Sequence, residues 1–71
     1  MDYKQQSTHL ILHYLKTAGG AVPVQDIIAH SGAERLRVYP ILFELEQEGR
    51  VEVTKREELG APKMVRLKGI D

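Results

Sequence analysis

Cysteine is absent from this 71-residue sequence. Disulfides and thiolate-ligated zinc are therefore excluded, and nothing points to an oxidising compartment. Long apolar runs are missing too: none exceeds three residues, as at Leu10–Leu12. No segment is long enough to span a membrane, and the opening stretch MDYKQQSTHL lacks the basic-then-apolar order of a signal peptide. A soluble, cytoplasmic protein with no membrane partner is the expectation. A surplus of either charge is also lacking, since ten Lys/Arg stand against ten Asp/Glu. A domain held to nucleic acid mainly by phosphate neutralisation is usually far more basic. The length allows a single domain, 1–71, and chains this short bury so little surface that a metal, disulfide or partner is often needed as well.

The charge is unevenly spread. Residues 1–32 balance, with Lys4 and Lys16 against Asp2 and Asp26. Residues 33–49 carry −2, Arg35 and Arg37 being outnumbered by Glu34, Glu44, Glu46 and Glu48. Residues 50–70 carry +3, six Lys/Arg against Glu52, Glu57 and Glu58. Any electrostatic footprint for nucleic acid therefore belongs to the C-terminal third.

Apolar spacing divides the chain into elements. A first helix is expected from Ser7 or Thr8, either of which can cap free amides. Leu10, Ile11, Tyr14, Leu15 and Ala18 share its inward face, and Gly19-Gly20 ends it. Ala21-Val22 reads as a short extended stub. Pro23 suits the first turn of a second helix that runs to about His30, with Val24, Ile27 and Ile28 inward. Ser31-Gly32 breaks the pattern with a residue suited to a tight bend. A third helix follows from about Ala33 or Glu34 to Glu48, which makes a helix-turn-helix candidate.

The stretch VYPILFELEQEGRVEV, Val38 to Val53, carries the strongest organisational signal. Val38, Ile41, Leu42 and Leu45 recur at helical period up to Gly49, and Val51 and Val53 then alternate around Glu52. A helix that stops on glycine and drops straight into a strand leaves no room for a loop. Strand 50–55 and strand 63–68 flank REELGAP, whose Gly60 and Pro62 are turn residues. Val51, Val53, Val65 and Leu67 are expected on the inner face, with Glu52 opposite Arg66 outside. Lys68 to Asp71 reads as a frayed tail. The order predicts an α+β winged helix-turn-helix: three helices, a strand stub between the first two, and a C-terminal β-hairpin wing.

YPILFELEQEGRVEV resembles the Tyr-Pro, x-Leu-x-x-Leu-Glu-x-x-Gly-x-Val segment of PadR-like bacterial transcription regulators. GAPKMVRLKG, Gly60 to Gly69, is similar to the second wing strand of that family. The resemblance covers roughly half the chain, Gly32 to Gly69. It implies a domain that binds operator DNA as a dimer, with the third helix in the major groove and the hairpin along the backbone.

The third helix complicates that expectation. With Val38, Ile41, Leu42 and Leu45 inward, its opposite face holds Leu36, Pro40, Phe43 and Gln47, flanked by Arg37 and Glu44. Base edges are read mainly by hydrogen-bonding side chains, and the centre of this face offers Pro and Phe. Two readings stand for Leu36, Pro40 and Phe43. They form an exposed interface for a protein or for a second copy, or Phe43 folds under the wing while Leu36 packs on the second helix. Pro40 costs roughly 3 kcal/mol inside a helix, but little if the helix begins at Leu36 or Arg37.

Arg35 and Arg37 stand where a recognition helix enters the groove; the alternative is a solvated helix start or a pair with Glu34. Lys55, Arg56 and Lys63 gather around the hairpin tip, where they suit phosphates; the alternative is solubilising charge guarding an edge. His9 and His13 have the spacing of two metal ligands on one helix face, but no third ligand follows, and they read as surface residues. His30 reads as a helix-end residue favoured by the dipole. No nucleophile-base pair, phosphate loop or carboxylate pair assembles, so neither an enzyme nor a cofactor is expected. A DNA-binding regulator, on double-stranded DNA and as a homodimer, is the first expectation. A winged-helix module whose third-helix face binds protein is the second.

Overall fold

The computed structural model describes residues 2–68. It is a small α+β fold of three helices and a three-stranded antiparallel sheet, a layout compatible with a winged helix. Chain order runs α1 (Tyr3–Ala18), β1 (Val22–Pro23), α2 (Val24–His30), α3 (Arg35–Gln47), β2 (Val51–Arg56) and β3 (Pro62–Leu67). The tail expected beyond Lys68 lies outside the described residues. None of the described helices is long and apolar enough to cross a membrane.

α1 begins earlier than its hydroxyls suggested. Asp2 is the N-cap, its carboxylate accepting from the amides of Lys4 and Gln5 at 3.0 and 3.2 Å. A carboxylate serves a free helix terminus as well as a hydroxyl does and also complements the dipole. Ser7 and Thr8 therefore lie inside the helix. The Thr8 hydroxyl donates back to the Lys4 carbonyl at 2.8 Å, and Ser7 is buried. Ile11 and Leu15 are buried with it and Leu10 and Tyr14 half-buried, whereas Ala18 at the helix end stays exposed. Gly19 closes α1 at φ 74°, a left-handed conformation that suits glycine.

Pro23 is not in the first turn of α2 but caps it at φ −65°, ψ 143°. It belongs to β1, whose two residues pair antiparallel with β3 in the register Val22↔Val65 and Pro23↔Met64. β3 is thus the central strand, in the order β1-β3-β2. Val24 and Ile27 turn into the core, and Ile28 is half-buried against it.

α3 ends as its sequence predicts. The Gly49 amide donates to the Glu46 carbonyl at 3.0 Å, and the Arg50 amide reaches the Leu45 carbonyl at 2.9 Å. Gly49 itself sits at φ 75°. This paired bonding satisfies the last carbonyls of the helix and delivers the chain to β2 one residue after Arg50. Val38, Ile41, Leu42 and Leu45 fill the core with Ile11, Leu15, Val24, Ile27, Val51 and Val65. The hairpin pairs Val51↔Leu67, Glu52↔Arg66 and Val53↔Val65. The Glu52 carboxylate and Arg66 guanidinium meet across the outer face at 2.7 Å, as expected.

Past Val53 the alternation breaks. The pairing shifts between Val53 and Lys55 and again between Lys55 and Arg56, which ends opposite Pro62. Strict alternation would aim Lys55 at the core face shared by Val51 and Val53. The bulge removes that conflict and leaves Thr54, Lys55 and Lys63 exposed while Pro62 is buried.

Candidate nucleic-acid interface

The start of α3 is positioned by the turn that precedes it. Gly32, at φ 85°, makes the bend. The buried Ser31 hydroxyl accepts from the Ala33 amide at 3.1 Å, and Ala33 packs into the core. The Glu34 amide makes a long hydrogen bond, 3.5 Å, to the Ser7 hydroxyl of α1. Glu34 is the N-cap residue, but its side chain does not cap. Its carboxylate instead accepts from the Arg37 Nε at 2.8 Å. Arg35 and Leu36 are left projecting beside an open hollow of about 510 Å³ shared with Gln25, Ile28 and Tyr39.

The face of α3 away from the core is apolar and exposed. Leu36 keeps 84% of its surface and Phe43 44%, and Pro40 and Gln47 are exposed between and beyond them. The alternative in which Leu36 packs on α2 and Phe43 folds under the hairpin is therefore not what the chain does. Nor does Pro40 lie in the first turn. α3 begins at Arg35, so Pro40 is its sixth residue, where a missing amide deprives the Leu36 carbonyl of its helical partner.

The glutamates of this segment are all matched by cations. Glu34 holds Arg37, and Glu44 binds the Lys4 ammonium of α1 at 2.7 Å. Glu46 pairs with Arg56 of β2, and Glu48 lies 3.8 Å from Arg50. The hydrogen bond from Glu44, reinforced by its charge, holds the Lys4 ammonium above its ordinary 10.5. These are exposed pairs of small individual worth. Their collective effect is electrostatic: the acidic stretch that would repel phosphates is locally neutralised.

That pairing redistributes the five cations singled out by sequence. Arg37 and Arg56 are engaged, the latter also donating to the Gly60 carbonyl at 3.1 Å. Arg56 thus spans the hairpin loop and α3, its charge taken up by Glu46. Arg35, Lys55 and Lys63 are exposed and make no ion pair among the described residues.

Two features escaped the sequence reading. Leu59, in the loop between β2 and β3, is 98% exposed. A groove of about 460 Å³ also opens where α1 meets the base of the hairpin, with His9 and His13 on its α1 side. Both histidines are exposed, and no group of three or more His, Cys, Asp or Glu among the described residues could hold a metal. The basic residues at 16, 50 and 68 were visible in the sequence, but only the fold brings them together. The chain matches no known family model, no curated protein and no solved structure.

Proposed function

We propose that the chain is a winged-helix protein that binds double-stranded DNA, a PadR-like transcription regulator of the cytoplasm that works as a dimer. The observation that carries this reading is the charge pairing around α3. Each of the four glutamates in and flanking the helix (Glu34, Glu44, Glu46 and Glu48) has an intramolecular cation, while Arg35 at the helix start and Lys55 and Lys63 on the hairpin have no such partner among the described residues. In this reading α3 enters the major groove by its first turn. Arg35, Lys55 and Lys63 hold phosphates of the backbone. Leu36, Pro40 and Phe43 then meet base edges by apolar contact, for which the thymine C5-methyl group is the natural partner.

The exposure of Leu36 and Phe43 also favours a second reading, in which the same face docks a protein and DNA is no ligand. One experiment separates the two. An A·T-rich duplex and its counterpart with deoxyuridine in place of thymidine are titrated with the protein in a gel-retardation assay. The DNA reading expects a complex that Arg35→Ala weakens and that loses affinity when the methyl groups are removed. If neither duplex is retarded at low salt while Phe43→Asp abolishes self-association, the protein-docking reading stands instead.

A further inference from the structure

Two surfaces unrelated to the α3 face complement each other, and the fold keeps them apart. The first is the hairpin tip, where Leu59 stands 98% exposed beside Glu57 and Glu58. Neither carboxylate makes an ion pair among the described residues. Two backbone bonds close the loop: the Glu57 amide donates to the Ala61 carbonyl at 2.7 Å, and the Gly60 amide to the Glu57 carbonyl at 2.9 Å. Arg56, tied to Glu46, fastens the end of β2 to α3. The apolar side chain is thus held out in water next to two negatively charged residues.

The second surface is the groove at the other end of the hairpin. Its apolar floor is made by the half-buried Leu12 and Leu67, and Lys16, Arg50 and Lys68 line it. Lys16 and Lys68 have no ion-pair partner among the described residues, and Arg50 has only Glu48 at 3.8 Å. The bond from the Lys68 amide to the Arg50 carbonyl, 3.0 Å, closes the hairpin at this base. An apolar residue accompanied by two carboxylates is what such a groove would take.

A chain cannot satisfy itself in this way. Strands of six residues, rising roughly 3.3 Å each, put the tip about 20 Å from the base. Two copies with antiparallel hairpins can: a two-fold axis between the hairpins lays each tip over the other's base. The same contact is then made twice, as in an isologous dimer. We infer that the protein self-associates in this manner, the Glu57-Glu58-Leu59 tip of each copy seated in the Leu12, Leu67, Lys16, Lys68 groove of its partner. This pairing does not depend on DNA binding and leaves the α3 face free.

Charge reversal tests it through mass. One variant carries Glu57→Lys with Glu58→Lys, the other Lys16→Glu with Lys68→Glu, all at exposed positions; circular dichroism checks that both fold. Wild-type protein is expected to sediment as a dimer, and each variant alone to associate about tenfold or more weakly, because like charges then face each other in both contacts. Mixed in equal amounts, the two variants are expected to form a heterodimer, since each tip again meets a groove of opposite sign. A Leu59→Ser chain should also dissociate. Wild type that is monomeric at all concentrations, or variants that do not recover when mixed, would overturn the proposal. So would a Lys16→Glu, Lys68→Glu chain that keeps its mass but releases duplex DNA, because the groove would then be a phosphate surface.

Discussion

Pro40→Ala should make the protein more stable. The proline is the sixth residue of α3, and its ring nitrogen stands where an amide would bond the Leu36 carbonyl. A proline in a helix interior costs about 3 kcal/mol through the lost bond and the clash with that carbonyl. Against this, removing it frees the unfolded chain, which returns roughly 0.4–1 kcal/mol. Pro40 is exposed, so its replacement forfeits little burial. The balance is a gain of about 2 kcal/mol, and at roughly 4–8 °C per kcal/mol for a domain of this size Tm should rise about 10 °C. Thermal melting followed by far-UV circular dichroism reads the shift. Hydrogen exchange adds a site-specific check, since the new amide at position 40 should be protected. A Tm that stays level or falls would refute the reasoning and mean that the α3 backbone already bends to relieve the strain.

Two further outcomes follow from local structure. Gly49→Ala meets no atom within 4 Å of the added Cβ, so its cost is purely that of an L-residue at φ 75°, about 1–2 kcal/mol. A urea midpoint equal to that of the wild type would show that the end of α3 does not need the left-handed turn. The Lys4–Glu44 pair raises the Lys4 pKa in the folded state, so its stabilisation is complete below the unfolded value of 10.5 and is lost as pH climbs through the folded one. The small stability difference between wild type and Lys4→Met should therefore hold at neutral pH and close above pH 10.5. A difference that stays constant through that alkaline range would mean the pair contributes nothing.

Local chemistry decided which parts of this fold could be read in advance. The passage from α3 to β2 was legible because Gly49 sits where the apolar period changes, and both signals report one backbone event. The core stripe of α3 was equally plain, since Val38, Ile41, Leu42 and Leu45 recur at the 3.6-residue period. The start of α1 was not, because Asp2, Ser7 and Thr8 all make acceptable caps, and only the fold shows Ser7 buried inside the helix near the turn before α3. The bulge after Val53 was hidden as well. A β-strand pattern carries no mark for one extra residue, and only the conflict between Lys55 and a core-facing position hinted at it. At the candidate site, charge counting found the cations but not their partners. That Glu46 takes Arg56, or Glu44 takes Lys4 across 40 positions, depends on tertiary proximity. Leu59 passed unnoticed because a turn signal says where the chain reverses, not whether its apolar residue is covered.

The central claim is that α3 and the hairpin bind duplex DNA through Arg35, Lys55 and Lys63. The salt dependence of duplex affinity tests it most directly. Three phosphate contacts per chain predict a slope of log K against log salt of about −2.7 for each chain bound, at roughly 0.9 per contact. Arg35→Ala, and separately Lys63→Ala, should each flatten that slope by about 1. A protein that binds no duplex at low salt, or one whose slope ignores all three residues, would contradict the account.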